Sequence, residues 1–464
     1  MNKTAMPVTS VQRHKRKYVA QMNIQTTTPD TSRYQDEFLS LRDHLPGQDL
    51  PWMKDLRTAA MDAFAGTGLP TLRDESWKYT NLHSLSACNF KPANSIAGQI
   101  SIDHAPRLMP GASGCFLMTF VNGRLRLDLS SFENLPAGVT LLPFEQLADQ
   151  HPERFEQWFA NSLQREIHQP MVSLNTALMS TGYVLHIEKG VTLHEPVEIL
   201  NLSAATPQAF SVHARNFMVL EPGAQATVIE HYQGLDDGES FANSVTNISL
   251  GQDALLRHYK LQNEGLGNYH LSTISSQLER NASYDSFTLS LGAKLSRNEV
   301  SVRLAGEGSE CHLNGAYLMR GRQHCDNTTI IDHMVPHTSC RETFKGVIDD
   351  QARAVFQGRI VVHKDAQQTN GHQLSKVLLL SNEAEIDAKP ELEIYADDVL
   401  CSHGATAGDL DQEALFYLRA RGIPEERARS ILIEAFLAEA IQAIAAEGLC
   451  PALMTSIGHW LADT

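Results

Sequence analysis

The chain has 464 residues, of which 42% are hydrophobic and 20% charged, an ordinary balance for a protein that buries a sizeable core. A formal net charge of −16 argues against a nucleic-acid partner, which would need a basic face to neutralise phosphates. No apolar run reaches the length of about eighteen residues that a membrane span requires.

Residues 1–29 contain no acid and carry Lys3, Arg13, Lys15, Arg16 and Lys17. They read as a disordered tail, as an over-extended start with initiation at Met22, or as a basic organelle transit peptide. The apolar core of a secretory signal is lacking, which points to a cytoplasmic chain, or a stromal one if the transit reading holds. Seven cysteines stand at 88, 115, 311, 325, 340, 401 and 450. An odd number without a C-x-x-C pair reads as free thiols in an intracellular protein.

Residues 31–170 mix helices with short strands. The apolar spacing predicts amphipathic helices over 33–45, over 51–65 with Pro51 in the first turn, and over 144–163. From about 171 to 400, with the unit closing by 410, helical periodicity gives way to short runs rich in Val, Ile, Leu and Thr. Examples are 183–187, 197–200, 226–230, 255–261, 300–304 and 359–362. Turns such as Lys189-Gly190 and Pro222-Gly223 lie beside them. Serial strands without helices between them mean a sandwich, a barrel or a solenoid. The length of the region draws the reading towards a solenoid, although its glycines follow no fixed period. Residues 411–464 turn helical again: 411–420 closed by Gly422, 424–446 opened by Pro424 and closed by Gly448, and 451–462. The apolar stripe Leu432, Ala435, Phe436, Ala440, Ala443 and Ile444 serves either packing on the β region or docking of a partner.

No glycine-rich phosphate loop, H-E-x-x-H or G-x-S-x-G motif occurs, so nucleotide hydrolysis by a phosphate loop is not expected of this chain. What remains are soft ligands. Cys401-Ser402-His403 follows Asp397-Asp398. On a strand, positions i and i+2 share a face, so a thiolate and an imidazole would stand side by side. Such a pair suits iron, zinc or an iron–sulfur unit, with further ligands from elsewhere; it equally describes a buried thiol beside a hydrogen-bonded core histidine. A second group comprises Cys311-His312, His324-Cys325, His333, His337 and Cys340. The adjacent pairs point to opposite faces and cannot each chelate. His333, His337 and Cys340 could meet around the turn at Pro336, or be polar loop residues.

Longer strings carry a resemblance. The run Ala396-Asp397-Asp398-Val399-Leu400-Cys401-Ser402-His403-Gly404-Ala405-Thr406 resembles the C-terminal signature of the SufB/SufD family. So does its continuation through Asp411 and the run from Ala414 to Ile423. Upstream, Phe356-Gln357-Gly358-Arg359-Ile360-Val361-Val362, Gln368-Thr369-Asn370 and the run from Leu379 to Pro390 are similar to the same family. Trp77-Lys78-Tyr79-Thr80 and the Cys-Ser-His-Gly-Ala-Thr form look like its SufD branch. The likeness spans about 35–460. It implies a right-handed parallel β-helix flanked by an N-terminal α/β region and C-terminal helices. It implies a scaffold rather than an enzyme, pairing with SufB through the β-helix and with the SufC ATPase through the C-terminal helices. Self-association of the isolated chain is compatible with it. Cys401 and His403 match the SufD-side positions where an iron–sulfur cluster or iron is held transiently at the SufB interface. A flavin is compatible with the family, and no residue in the sequence assigns one. A β-helix carbohydrate-active enzyme would need clustered carboxylates. A Cys–His hydrolase would need an oriented base, which two residues on one strand face do not supply.

Overall fold

The computed structural model describes residues 31–93, 107–108, 115–166, 169–442, 444, 446 and 448–462; the acid-free segment 1–29 lies outside them. Its core is a parallel β-solenoid. Eight strands from Tyr183–Ile187 to Glu385–Ile394 stack into one sheet, and eight from Val197–Ser203 to Val399–Gly408 into the other. Strands alternate between the sheets, so each turn of chain adds one rung to both, and backbone groups are satisfied by ladders to the rungs above and below.

Side-chain alternation explains why these segments become strands. Leu220, Leu250, Leu278 and Leu304 lie in register on successive rungs, each fully buried in the interior between the sheets. The stretch predicted at 300–304 is only the apolar half of Leu295–Leu304, because its first half carries Arg297 and Asn298. Most of the other strands likewise extend beyond their apolar runs. At the corners, non-glycine residues such as Asn281, Asp350 and Gln368 adopt φ between 50° and 59°. Asn and Asp tolerate this left-handed conformation better than most side chains.

The helices cover the outer faces. Ser32–Leu41 and Pro51–Thr67 bury Tyr34, Phe38, Met61 and Phe64 with Phe241, Tyr269 and Leu271 of the first sheet. The first of them ends at Leu41, short of the predicted 45, as the chain turns ahead of Pro46. The stretch predicted as one helix over 144–163 divides at His151 into Phe144–Gln150 and Pro152–Glu166; the proline disfavours helical geometry in the residue before it. The Trp77–Thr80 motif pins this region to the solenoid. The Arg297 guanidinium lies 4.1 Å from the Trp77 ring centroid, and the Thr80 hydroxyl meets His324 Nε2 at 2.9 Å as well as the Asp326 carboxylate. Arg297 and Asp326 form a buried ion pair.

The C-terminal helices are Gln412–Ala420, Glu425–Ile441 and Leu449–Ala462. Asp411 caps the first, accepting from the backbone N–H groups of Glu413 at 2.9 Å and Ala414 at 3.1 Å. The second stops at Ile441 rather than 446, and Ala443 of the predicted stripe lies outside the described residues. Ile433, Leu437, Ala440 and Ile444 are buried with Ile229, Tyr259, Phe287 and Leu289 of the second sheet. Lys345 on that sheet donates to the Phe436 carbonyl at 2.7 Å and pairs with Glu439. Much of the apolar side of this helix thus packs on the β region. No helix among the described residues is long and apolar enough to cross a membrane.

Candidate functional site

The solenoid ends on two open edges. Among the described residues, Glu385–Ile394 pairs only with Arg353–Val362, and Val399–Gly408 only with Thr369–Leu379. Large apolar side chains are exposed there: Leu400 is 70% accessible and Tyr395 64%. Cys401 and His403 lie on this last strand.

Register settles their direction. Cys401 stands over Gly371, which stands over Cys340 and then Cys311; His403 stands over Gln373 and then Glu342. Cys311, Cys340, Glu342 and Gln373 are all buried in the interior, so Cys401 and His403 continue two inward columns into the open end. Cys401 is half-buried against the apolar interior of the solenoid, whereas His403 is exposed. Leu400 and Ser402 point the other way, and Ser402 Oγ meets His372 Nδ1 at 2.7 Å on the outer face. Burial pushes the Cys401 thiol above its ordinary range, and the Gly371 backbone N–H partly offsets this.

A polar ladder supports His403 from below. The Gln373 Nε2 donates to Glu342 Oε2 at 2.7 Å, and Gly358 on the opposite sheet leaves room for that amide. Burial raises the Glu342 carboxyl to about 7, opposed by the Gln373 hydrogen bond and by the nearby Thr329 hydroxyl. No signal in the sequence marked Glu342 as part of this end, because its place beneath His403 depends on register across two rungs.

The second group of soft residues separates. Cys311 is buried and His312 faces the outer side; Cys325 is buried and His324 bonds Thr80, as their adjacency requires. His333 and Cys340 do meet, with Nε2 3.2 Å from Sγ. His337 does not join them: it takes the left-handed corner at φ 58° and lies exposed, 3.7 Å from Glu307. Burial lowers the His333 imidazole to about 4, so it is neutral, and it drives the Cys340 thiol upward. All seven cysteines are free.

Comparison with known proteins places this chain in a family. Residues 202–436 match the family model for the SufBD core domain of SUF system FeS cluster assembly, and residues 28–199 that for the SufBD protein N-terminal region. An iron–sulfur cluster assembly SufBD family protein of Synechocystis is 32% identical over 84% of this chain and 86% of its own length. The iron–sulfur cluster assembly protein SufD of Escherichia coli is 33% identical over 85% of this chain and 90% of its own. The chloroplastic protein ABCI7 of Arabidopsis thaliana is 28% identical over 87% of this chain and 85% of its own. With both of its regions matched and its length covered by such relatives, the chain belongs to the SufBD family of iron–sulfur cluster assembly proteins.

Proposed function

We propose that the chain is a SufD-like scaffold subunit of a SufBCD complex, holding one side of a nascent iron–sulfur cluster at its interface with SufB. The observation that carries this reading is the pair Cys401 and His403, side by side on the inward columns of an unpaired final strand. A thiol and an imidazole supply two soft ligands. The exposed strand edges and the apolar residues beside them suit pairing with a second solenoid, which would bring the remaining ligands. The cluster or its iron is cargo: Cys401 and His403 bind and orient it, and the Gln373–Glu342 ladder fixes the floor beneath the imidazole.

Coupling to the SufC ATPase falls to the C-terminal helices. Since much of the apolar side of Glu425–Ile441 packs on the solenoid, the docking surface is best sought on Gln412–Ala420, where Phe416 is 73% accessible and Tyr417 55%. Anaerobic co-expression with SufB and SufC tests the proposal. The expected product is a complex of three proteins with bound iron and acid-labile sulfide. A chain that purifies alone from such cells, free of both, would overturn it.

A further inference from the structure

The inward leucine column breaks at one rung: Leu220, Leu250, Leu278 and Leu304 are followed in register by His333 and then Val362. A fully buried imidazole in a leucine column is costly unless it is engaged. The Thr338 hydroxyl lies 2.7 Å from His333 Nδ1 and 3.3 Å from the Val335 carbonyl; when it donates to that carbonyl it accepts from Nδ1–H, the tautomer that leaves the Nε2 lone pair facing Cys340 Sγ at 3.2 Å. An imidazole whose Nδ1 is held in this way can offer Nε2 to a metal.

The neighbouring column adds a second thiol. Between Cys340 and Cys401 the chain has Gly371, whose backbone does not adopt the left-handed conformation that calls for glycine. A Cβ there would lie 3.4 Å from Cys340 Sγ and 3.5 Å from Cys401 Sγ. Both sulfurs therefore border the gap beside Gly371, with Ile360 Cγ2 3.6 Å from the same point. They cannot form a disulfide: their strands are two rungs apart, roughly 9–10 Å, beyond the reach of about 7 Å between α-carbons. Thiolate–zinc bonds are about 2.3 Å, so an ion in the gap would draw each sulfur in by about 1 Å. Among the described residues no three His, Cys, Asp or Glu side chains already converge on one point, so a bound ion would have to draw them together.

We propose that His333, Cys340 and Cys401 form an inner site for a thiophilic d10 cation of the zinc class, lying below the interface pair and sharing Cys401 with it. The site is internal to this chain and needs neither SufB nor cluster assembly. It is tested with the full-length chain purified alone under anaerobic, reducing conditions. Cadmium is titrated in, following its ultraviolet thiolate charge-transfer band and the metal retained after gel filtration. One tightly held ion is expected. Gly371→Ala, which fills the gap through ordinary contacts, and Cys340→Ser should each weaken it by at least about tenfold, a loss typical of disturbed metal sites. His403→Ala should leave it unchanged. Wild-type affinity in folded Gly371→Ala, loss of binding in His403→Ala, or no tight ion in the unmodified chain would each overturn the proposal. Should Cys340→Ser fail to fold, Gly371→Ala decides alone. Failure here leaves the scaffold reading intact, because that reading is judged in the three-protein complex.

Discussion

Replacing Glu342 by glutamine should stabilise the protein increasingly from about pH 4.5 to neutral pH and change it little in stronger acid. Glu342 is 1% exposed, and its carboxyl moves from an ordinary 4.5 to about 7 because the interior disfavours the charge. With the folded value raised, the native state holds the proton more tightly than the unfolded chain. The neutral acid is therefore accommodated without loss below about pH 4.5, and stability falls as pH climbs through 7. A difference of this size corresponds to roughly 3 kcal/mol. Glutamine mimics the protonated acid, and its amide oxygen can accept from Gln373 Nε2 as Oε2 does now. Urea unfolding of both chains between about pH 5 and pH 8 isolates the effect in the difference curve, where other groups such as Glu37 cancel. The variant should gain up to about 3 kcal/mol over the parent across that range. A flat difference curve, or a variant less stable throughout, would refute the burial argument. The consequence for function is local: an ionised Glu342 raises the Cys340 and Cys311 thiols further, so the neutral acid favours thiolate ligation in this column.

Asp326→Ala should cost about 1–3 kcal/mol in denaturant unfolding, since the buried Arg297 guanidinium loses one of its two carboxylates, keeping Glu299 at 2.9 Å, and the Thr80 hydroxyl loses one of its two partners. Phe416→Asp and Tyr417→Asp should leave stability within about 0.5 kcal/mol, as exposed substitutions do, yet abolish SufC retention on affinity purification; full retention would move the docking surface elsewhere. Leu437→Asp, by contrast, should release the C-terminal helices from the solenoid, seen as rapid proteolysis after Leu410.

The fold was legible where parity or period speaks locally. The shared face of Cys401 and His403 follows from their spacing of two, and Pro51 and Asp411 mark helix starts. Long-range stacking was not legible. Leu278, Leu304, His333 and Val362 share one column but fall 26, 29 and 29 residues apart, so no fixed repeat exposes the break at His333. The stripe on Glu425–Ile441 has the same apolar period whether it packs on the solenoid or docks a partner, and only the contacts with Tyr259 and Phe287 separate the two. Of the three residues that the sequence allowed either to meet around Pro336 or to be polar loop residues, His337 stays apart because a corner with positive φ turns it outward.

The account rests most directly on His403. Because this side chain is exposed on the final strand, its removal should not disturb the fold or the assembly of the complex. The deciding measurement is the iron and acid-labile sulfide content of the SufB–SufC complex purified anaerobically with His403→Ala in place of the parent chain. The scaffold reading predicts an assembled complex with strongly reduced iron and sulfide, whereas an assembled complex loaded like the parent would contradict it.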